Sequence, residues 1–273
     1  MSKKSNQGGS VAGALRSVFT VGAMVAAAII AYLIYKYIMG NPINFEGGNP
    51  DGHPIQGNYL AIIYKGGFIV PILITINLIL FIFAIERGIS LTAAKGKGRI
   101  NVFVKNLQGL LDSDKIEEAI VACDKQRGSL ANVMKAGLIR YRDIQSDKTM
   151  EKEQKVVAMQ KEFEEATALE LPMLSRNMVI LSTIASISVL TGLLGTVFGM
   201  IRAFAALATA GAPDALALAT GISEALINTA FAIAGSLFAI VFYNFFSTQI
   251  DSFTYKIDEA GFSLIQSFAA STK

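Results

Sequence analysis

The residues of this chain that could do chemistry lie in two apolar stretches of its second half, 178–206 and 221–246. The candidates for such chemistry are four residues with hydroxyl, carboxyl or amide groups in apolar surroundings: Thr196, Glu224, Asn228 and Thr229. A helix face with such groups is too polar to meet lipid. It either packs on other helices or borders a narrow hydrated path.

Each of these polar residues also has an ordinary structural explanation. A threonine in a membrane helix often only hydrogen-bonds the backbone of its own helix, which would account for Thr196 and Thr229. A carboxylate at the centre of a membrane helix costs about 2.5–3.5 kcal/mol, so it usually faces an interior, a cavity or a partner. Glu224 lies only one turn into its stretch, so a solvated carboxylate at the membrane interface remains an alternative.

Small residues recur along both stretches at helical spacing. One face of the first stretch includes Ala185, Val189 and Thr196, and Gly195 with Gly199 forms a GxxxG pair. Such spacing lets helix backbones approach closely in lipid, where bulk hydrophobicity gives no pairing force. We predict that helix packing depends on Gly192, Gly195, Gly199, Ala225 and Ala232.

The composition favours a membrane protein with one water-exposed block. Of 273 residues, 52% are hydrophobic and 16% are charged, against about 25% charged residues in an ordinary soluble domain. Of the 45 charged residues, 30 lie between Glu86 and Arg176. Basic and acidic residues are interleaved there, which gives no support to a nucleic-acid partner.

The sequence carries no motif of an enzyme or a metal protein. It has no glycine-rich phosphate loop, no HExxH and no GxSxG. Its one cysteine, Cys123, cannot form an internal disulfide or a CxxC site. Its one histidine, His53, lies in a Gly/Pro-rich segment without another ligand nearby. We predict no enzymatic activity, no catalytic residue, no metal site and no cofactor.

Four apolar stretches are long enough to cross the roughly 30 Å hydrocarbon core of a bilayer. Lys and Arg flank the first two stretches on one side, whereas the segment between them carries only Lys65, so the flanking side is predicted to be cytoplasmic. We predict an all-α integral membrane protein with four transmembrane helices. Its segments are a cytoplasmic N-terminus (1–17), an accessory transmembrane helix (18–39), a periplasmic loop (40–66), a transmembrane helix (67–85), a helical cytoplasmic domain (86–177), a transmembrane helix (178–206), a periplasmic loop (207–220), a transmembrane helix (221–246) and a cytoplasmic tail (247–273).

The first helix has an alternative interpretation as a cleaved secretory signal, because it follows basic residues and contains a run of alanines. Its apolar run is too long for a typical signal and ends in tyrosines, as an interface anchor would. We therefore expect a peripheral, lipid-facing helix.

Local patterns predict the helices of the charged block. Asp114–Glu117 has capping-box spacing, and Ser129 is a candidate N-cap for the helix that follows it. A long helix is predicted over 149–171, with a kink at Pro172 near the membrane surface.

Two segments, GLLGTVFGM at 192–200 and GISEALINTA at 221–230, resemble the paired-helix signature of the ExbB/TolQ branch of the MotA/TolQ/ExbB proton channel family. Glu86-Arg87, the segment RGSLANVMKAGL and Leu171-Pro172-Met173-Leu174 agree with it too. The resemblance covers roughly residues 67–250 and is closest to ExbB. The extra first helix departs from the three-span ExbB/TolQ pattern, and four spans also resemble MotA.

This resemblance implies a homopentamer in the lipid bilayer of the bacterial inner membrane. The Lys and Arg distribution predicts that both termini are cytoplasmic, whereas ExbB/TolQ relatives usually start outside. The pore of the pentamer would enclose two copies of a single-span ExbD-like partner, whose membrane aspartate carries the proton past Thr196 and Thr229. Glu224 matches the family's glutamate near the outer end of the last helix, and we assign Asn228 to the same pathway. Protons are the implied coupling ion.

The implied function is that of a stator and channel subunit that energises TonB-dependent transport across the outer membrane through a TonB-like protein. TolQ-type envelope maintenance and MotA-type motility are the alternatives within the family. Two other classes stay open: a purely structural scaffold, and a self-contained transporter, for which inverted repeats or broken helices would be expected.

Overall fold

The computed structural model describes residues 7–50, 52–145, 149–208 and 214–271. The regular structure of these residues is helical, and their one β-type pairing is an isolated bridge between Phe45 and Pro54. A π-helical segment, Ile34–Met39, continues the first helix, and two short 3-10 helices follow at Pro42–Asn44 and Glu46–Gly48. The α-helices are α1 (Gln7–Leu33), α2 (Tyr59–Tyr64), α3 (Ile69–Ala94), α4 (Ile100–Asp112), α5 (Ile116–Gln126), α6 (Ser129–Gln145), α7 (Lys152–Leu174), α8 (Met178–Leu207) and α9 (Ala215–Ser271).

Four helical segments of the described chain are long and apolar enough to cross a membrane: Thr20–Met39, Ile69–Ala94, Lys152–Leu207 and Ala215–Ala269. The prediction of an all-helical protein with four candidate spans is confirmed. α3 and α9 continue well past the predicted ends of their spans, because a helix that is already nucleated adds further residues at little cost. Residues 1–6 of the predicted N-terminus, 209–213 of the predicted second loop and 272–273 of the predicted tail lie outside the described residues.

The chain divides into two compact units. The first, here called the apolar unit, comprises Met1–Ala84 and Val179–Tyr243. The second, the polar unit, comprises Ile85–Met178 and Asn244–Lys273. Most of the charged residues of the sequence fall in the polar unit.

Within the apolar unit, α1 packs through small residues and leaves most of its apolar surface exposed. Ala31 is fully buried and clusters with Val70 and Ile74 of α3. In the π-helical segment, Tyr35 stacks on Tyr64 with ring centroids 4.7 Å apart, and its hydroxyl donates to the Tyr64 carbonyl at 3.3 Å. An exposed apolar surface of this extent is suited to lipid.

The predicted loop 40–66 is organised by two asparagines. Asn44 is buried, and its Nδ2 donates to the carbonyls of Ile38 at 2.8 Å and Met39 at 3.1 Å. Asn58 donates to Asn44 Oδ1 at 3.0 Å and caps α2 by accepting from the Leu60 backbone N–H at 3.1 Å. These bonds satisfy backbone groups that the ends of helices leave without intrahelical partners. The segment therefore holds a short helix that the sequence analysis missed.

The polar unit has a conventional hydrophobic core formed by α4 to α7 and the C-terminal part of α9. Phe163 of α7 lies against Gly137 of α6, where an added Cβ would come within 2.6 Å of ring atom Cε2. The same ring lies near Gly261 of α9, and Tyr141 packs edge-to-face on Phe268 with ring centroids 4.6 Å apart. Full burial of one such side chain contributes about 1.5–3 kcal/mol.

The predicted capping box at Asp114–Glu117 is wrong. The N-cap of α5 is Lys115, which makes no side-chain capping hydrogen bond. Asp114 instead has a left-handed φ of 56° and accepts a hydrogen bond from Gln145 Nε2 at 3.3 Å. Aspartate tolerates this conformation in turns, so Asp114 belongs to the turn between α4 and α5.

The start of α6 also differs from the prediction. Ser129 is the first helical residue, and the Gly128 carbonyl accepts the first helical hydrogen bond from the Asn132 N–H at 3.0 Å. Gly128 has a φ of 85°, which is favourable for glycine. The N-cap is therefore Gly128, and the predicted cap at Ser129 is wrong by one position.

Helix α7 starts later and ends later than predicted. It begins at Lys152 behind a capping box formed by Glu151 and Gln154, with the Glu151 N–H donating to Gln154 Oε1 at 3.1 Å. Pro172 lies inside the helix, which continues to Leu174. The helix ends within the next residues, where Asn177 has a left-handed φ of 59°.

A buried arginine holds this helix end. Arg87 is 1% exposed, and its Nε and Nη2 donate to the two carboxylate oxygens of Glu86 at 2.8 and 2.7 Å. Its Nη1 donates to the Leu174 carbonyl at 3.2 Å, and Asn177 Nδ2 donates to Glu86 Oε2 at 3.1 Å. The bidentate geometry is the strong form of an arginine–carboxylate pair. It satisfies an orphan carbonyl at the C-terminus of α7.

Candidate functional site

Helices α8 and α9 meet along a line of small residues, here called the seam, formed by Gly192, Gly195 and Gly199 of α8 with Gly221, Ala225 and Ala232 of α9. A Cβ added at Gly199 would lie 2.7 Å from the Ala225 backbone N and the Gly221 carbonyl oxygen. One added at Gly195 would lie 2.6 Å from Asn228 Cβ, and one added at Gly192 would collide with Ala232 Cβ. The two backbones are therefore in direct contact, and all five predicted packing residues lie in this contact.

Two serines cross the seam in opposite directions. Ser188 of α8 is fully buried, and its Oγ donates to the Ala232 carbonyl at 2.8 Å. Ser236 of α9 donates to the Ala185 carbonyl at 2.7 Å. Ser188 was not among the predicted packing residues, although it lies one turn before Gly192 on the same helix face.

Helix α3 reaches the same region through Asn77. A Cβ added at Gly235 would lie 2.8 Å from both Asn77 Oδ1 and Ser188 Oγ. Asn77 Nδ2 donates to the Leu73 carbonyl of its own helix at 2.9 Å. The glycine thus leaves room for polar side chains from two neighbouring helices.

The two predicted pathway threonines lie on the two helices of the seam, Thr196 on α8 and Thr229 on α9. Thr196 Oγ1 donates to the Leu193 carbonyl at 2.6 Å, and its own helix also places the Gly192 carbonyl 3.4 Å away. Thr229 Oγ1 donates to the Ala225 carbonyl at 3.2 Å, and its Cα lies 3.5 Å from the position of a Cβ on Gly192. Both side chains are partly exposed. Each hydroxyl keeps its lone pairs available to a proton donor outside this chain.

Asn228 is enclosed within the chain. It is fully buried, and its Nδ2 donates to the Gly66 carbonyl at 2.9 Å. Its Oδ1 is the buried side-chain polar atom of the described residues that has no hydrogen-bond partner. This donation orients the amide, so a flipped amide would lose its one hydrogen bond.

Glu224 is also buried, at 3% exposure, and it forms an ion pair that the sequence analysis did not predict. Arg202 Nη1 lies 2.8 Å from Glu224 Oε1 and 2.7 Å from Oε2. The guanidinium carbon lies 5.7 Å from the centre of the Phe68 ring. A Cβ added at Gly67, whose φ is 75°, would collide with Glu224 Oε1. The only sequence signal was that Arg202 is the one charged residue of the stretch 178–206.

The four predicted pathway residues therefore form two pairs. Thr196 and Thr229 are partly exposed at the seam, whereas Glu224 and Asn228 are buried between helices of the same chain. The outward surface of α8 is apolar and about half to two-thirds exposed, with Leu190, Leu193, Val197, Ile201 and Phe204. Exposed apolar surface of this size marks contact with lipid or with other helices.

The described part of the chain shows no group of three or more His, Cys, Asp and Glu residues that could hold a metal ion. His53 lines a cavity of about 280 Å³ with Lys65, Thr220 and Ser223. These neighbours are a cation and neutral hydroxyls, which are not the Cys, His, Asp or Glu ligands that accompany a histidine in a zinc site.

Comparison with known proteins gives consistent matches. Residues 125–259 match the MotA/TolQ/ExbB proton channel family. The chain is 42% identical over 93 residues to a putative biopolymer transport protein ExbB-like 3 of Synechocystis sp., covering 32% of this chain and 44% of that protein. It is 40% identical over 73 residues to biopolymer transport protein ExbB of Salmonella typhimurium, covering 27% of this chain and 30% of that protein.

A longer match at lower identity is to the Tol-Pal system protein TolQ of Pseudomonas aeruginosa. The two are 25% identical over 169 residues, which is 62% of this chain and 72% of TolQ. The matched region thus spans less than half of the Synechocystis and Salmonella relatives but most of this TolQ.

Proposed function

Because the chain belongs to the MotA/TolQ/ExbB proton channel family, we propose that it is the stator and channel subunit of a proton-driven motor. Its four apolar helices and its family support a bacterial inner-membrane protein. The proposed work is to energise TonB-dependent transport across the outer membrane. The relatives named ExbB support this assignment.

The observation that carries the proposal is the pair of partly exposed threonines at the α8–α9 seam. A proton path needs hydroxyl groups that can relay a hydrogen bond in an apolar region, and Thr196 and Thr229 offer one on each helix of the seam. The carboxylate nearest in sequence, Glu224, is already held by Arg202 at 2.7 Å. We therefore propose that the proton-carrying carboxylate belongs to a partner chain.

The proposed assembly is a homopentamer around two copies of an ExbD-like single-span partner, whose membrane aspartate faces the threonines. A TonB-like protein then transmits the work. Both termini and residues 86–177 lie on the cytoplasmic side. Moving one charge through 100 mV yields about 2.3 kcal/mol, so several protons are needed for sizeable mechanical output.

The test removes the two hydroxyls and keeps the side-chain shape. Thr196→Val and Thr229→Val should each abolish partner-dependent proton flux in proteoliposomes while the complex still assembles, because valine has the same outline and no hydrogen-bonding group. Both hydroxyls bond only their own helix backbone, so little stability is lost.

Thr191→Val is the matched control. Thr191 Oγ1 also donates to the carbonyl four residues earlier in α8, Ile187, at 2.8 Å. Five residues separate it from Thr196, which places it about 140° around the helix. Its variant should keep full flux. Wild-type flux in both test variants would remove the threonines from the mechanism.

A second candidate within the family is TolQ-type envelope maintenance. The longer match to TolQ of Pseudomonas aeruginosa favours it. The identity of the co-purifying partner distinguishes the functions within the family. A short single-span chain supports nutrient uptake or envelope maintenance, and a peptidoglycan-binding partner supports a MotA-type motility stator.

A further inference from the structure

We infer that Arg202 is a positioning residue of the channel, which balances the buried charge of Glu224 beside the Gly66–Gly67 turn and thereby keeps α9 in place against α8. The inference rests on the proposed channel function. It assigns Glu224 a structural task in place of proton transfer.

The ion pair bridges the two helices that form the seam. Arg202 lies six residues after Thr196 on α8, and Glu224 lies five residues before Thr229 on α9. One arginine nitrogen contacts both carboxylate oxygens, at 2.8 and 2.7 Å. A shift of one helix along the other would separate these atoms. The pair therefore lies in the same helix contact as the two threonines, where an unbalanced charge would disturb the packing of α9 on α8.

The turn before α3 is held by the same two helices. Gly67 lies so close to Glu224 that a Cβ would fall 3.0 Å from Cδ and 3.3 Å from Arg202 Nη1. One helical turn further along α9, Asn228 Nδ2 donates to the Gly66 carbonyl at 2.9 Å. Two side chains four residues apart on one helix face thus meet the turn: Asn228 hydrogen-bonds the Gly66 carbonyl, and Glu224 lies against Gly67.

The two charged side chains differ in burial. We therefore expect removal of Arg202 to have a larger effect than removal of the Glu224 charge. Glu224 is 3% exposed, whereas the Arg202 side chain is 52% exposed and lies over the Phe68 ring. Without Arg202, a carboxylate stays buried without a partner, which is strongly unfavourable. It would draw in water or move outwards, and α9 would leave its place on α8. Removal of both charges leaves the glycine contacts of the seam intact.

The test is a double-mutant cycle on the full chain with its partner, with proton flux measured per assembled complex. Arg202→Met should lower flux by about 10- to 100-fold, because small misplacements of reacting groups cost that much. Glu224→Gln should stay within about threefold of wild type, because the amide oxygen still accepts from Arg202. Arg202→Met/Glu224→Gln should recover to within about threefold, because no buried charge is left unpaired.

Arg142→Met is the matched control for loss of an arginine ion pair. Arg142 Nη1 lies 3.3 Å from Glu117 Oε1, and both side chains are exposed. Exposed pairs contribute about 0–1 kcal/mol, so flux should not change.

Two results overturn the inference. If Glu224→Gln and the double variant lose as much flux as Arg202→Met, the carboxylate itself carries protons. If all variants keep wild-type flux per complex, the pair only stabilises the fold. If the wild type shows no partner-dependent flux, the proposed function fails. The role of Arg202 is then tested by thermal unfolding of the same four proteins. A loss of Tm in Arg202→Met that Glu224→Gln restores supports the inference, and additive losses reject it.

Discussion

Both the seam of the apolar unit and the core of the polar unit contain glycines that let a neighbouring group approach closely, but the neighbouring group differs. At Gly199 an added Cβ would meet the backbone of α9, at 2.7 Å from the Ala225 nitrogen. At Gly137 it would meet the ring of Phe163, at 2.6 Å from Cε2. In lipid, helices gain little from burying apolar side chains, so close backbone contact supplies the attraction. In water, burial of the aromatic ring itself drives the packing.

The partners of polar side chains also differ between the two units. In the apolar unit, Ser188 and Ser236 donate across the seam to backbone carbonyls, at 2.8 and 2.7 Å. In the polar unit, most charges lie at the surface, where pairs such as Arg142 with Glu117 contribute little. A polar group in lipid needs a partner within the protein, whereas a polar group at a wet surface has water.

The largest expected effect in this comparison comes from the seam. Gly199→Ala should destabilise the protein by about 1–3 kcal/mol, because the new methyl group meets backbone that cannot move away alone. Thermal unfolding in detergent and the fraction of assembled complex are the measurements. The control is Gly22→Ala in α1, where a Cβ meets nothing within 4 Å and helix propensity should raise stability by up to about 1 kcal/mol. Equal stability of both variants would mean that the seam backbones are not in contact.

A smaller effect is expected in the polar unit. Gly137→Ala should cost about 1–2 kcal/mol, because a ring can shift slightly where backbone cannot. Combination with Phe163→Leu should cost less than the sum of the two single changes, since the smaller side chain leaves room for the methyl group.

Gly109→Ala in α4 is the control, because an added Cβ there meets nothing within 4 Å. Thermal melting of the four proteins measures the coupling. Strictly additive losses would show that Phe163 does not occupy the space beside Gly137.

The smallest expected effect concerns Cys123 in the polar unit. The side chain is 2% exposed, and burial, the first cause, together with the charge of Asp124 raises the pKa of its thiol to about 12. The folded state therefore binds the thiol proton more tightly than the unfolded state. The stability from this group is complete below pH 9 and falls as pH rises from about 9 to 12.

Maleimide labelling measured by mass spectrometry checks this prediction. Cys123 should label slowly at pH 8 in the folded protein and fast in urea, because the thiolate is the reactive form. Val121→Cys in a Cys123→Ala background is the control, because Val121 is exposed on the same helix. Equal rates for the two thiols in the folded protein would contradict the burial.

Much of the site was predictable because helical spacing in a membrane has few interpretations. Gly192, Gly195 and Gly199 follow a pattern that only close helix contact explains, and the structure places them against α9. Asp114 shows the limit in the polar unit. Its spacing to Glu117 fits a capping box, but a left-handed turn places it outside α5, and turn conformation depends on neighbours that a local pattern does not contain.

The amino-acid sequence by itself determined the four apolar helices, the small-residue faces and the resemblance to the channel family, because hydrophobic run length and residue spacing act along the chain. Only the tertiary structure decided which polar residues are enclosed. On a helical projection, Glu224 and Asn228 cannot be told apart from Thr196 and Thr229. In the structure, however, Glu224 is buried against Arg202, and Asn228 is buried against Gly66. Those partners come from α8 and from the turn before α3, and their approach to α9 depends on tertiary packing, which no spacing along one helix encodes.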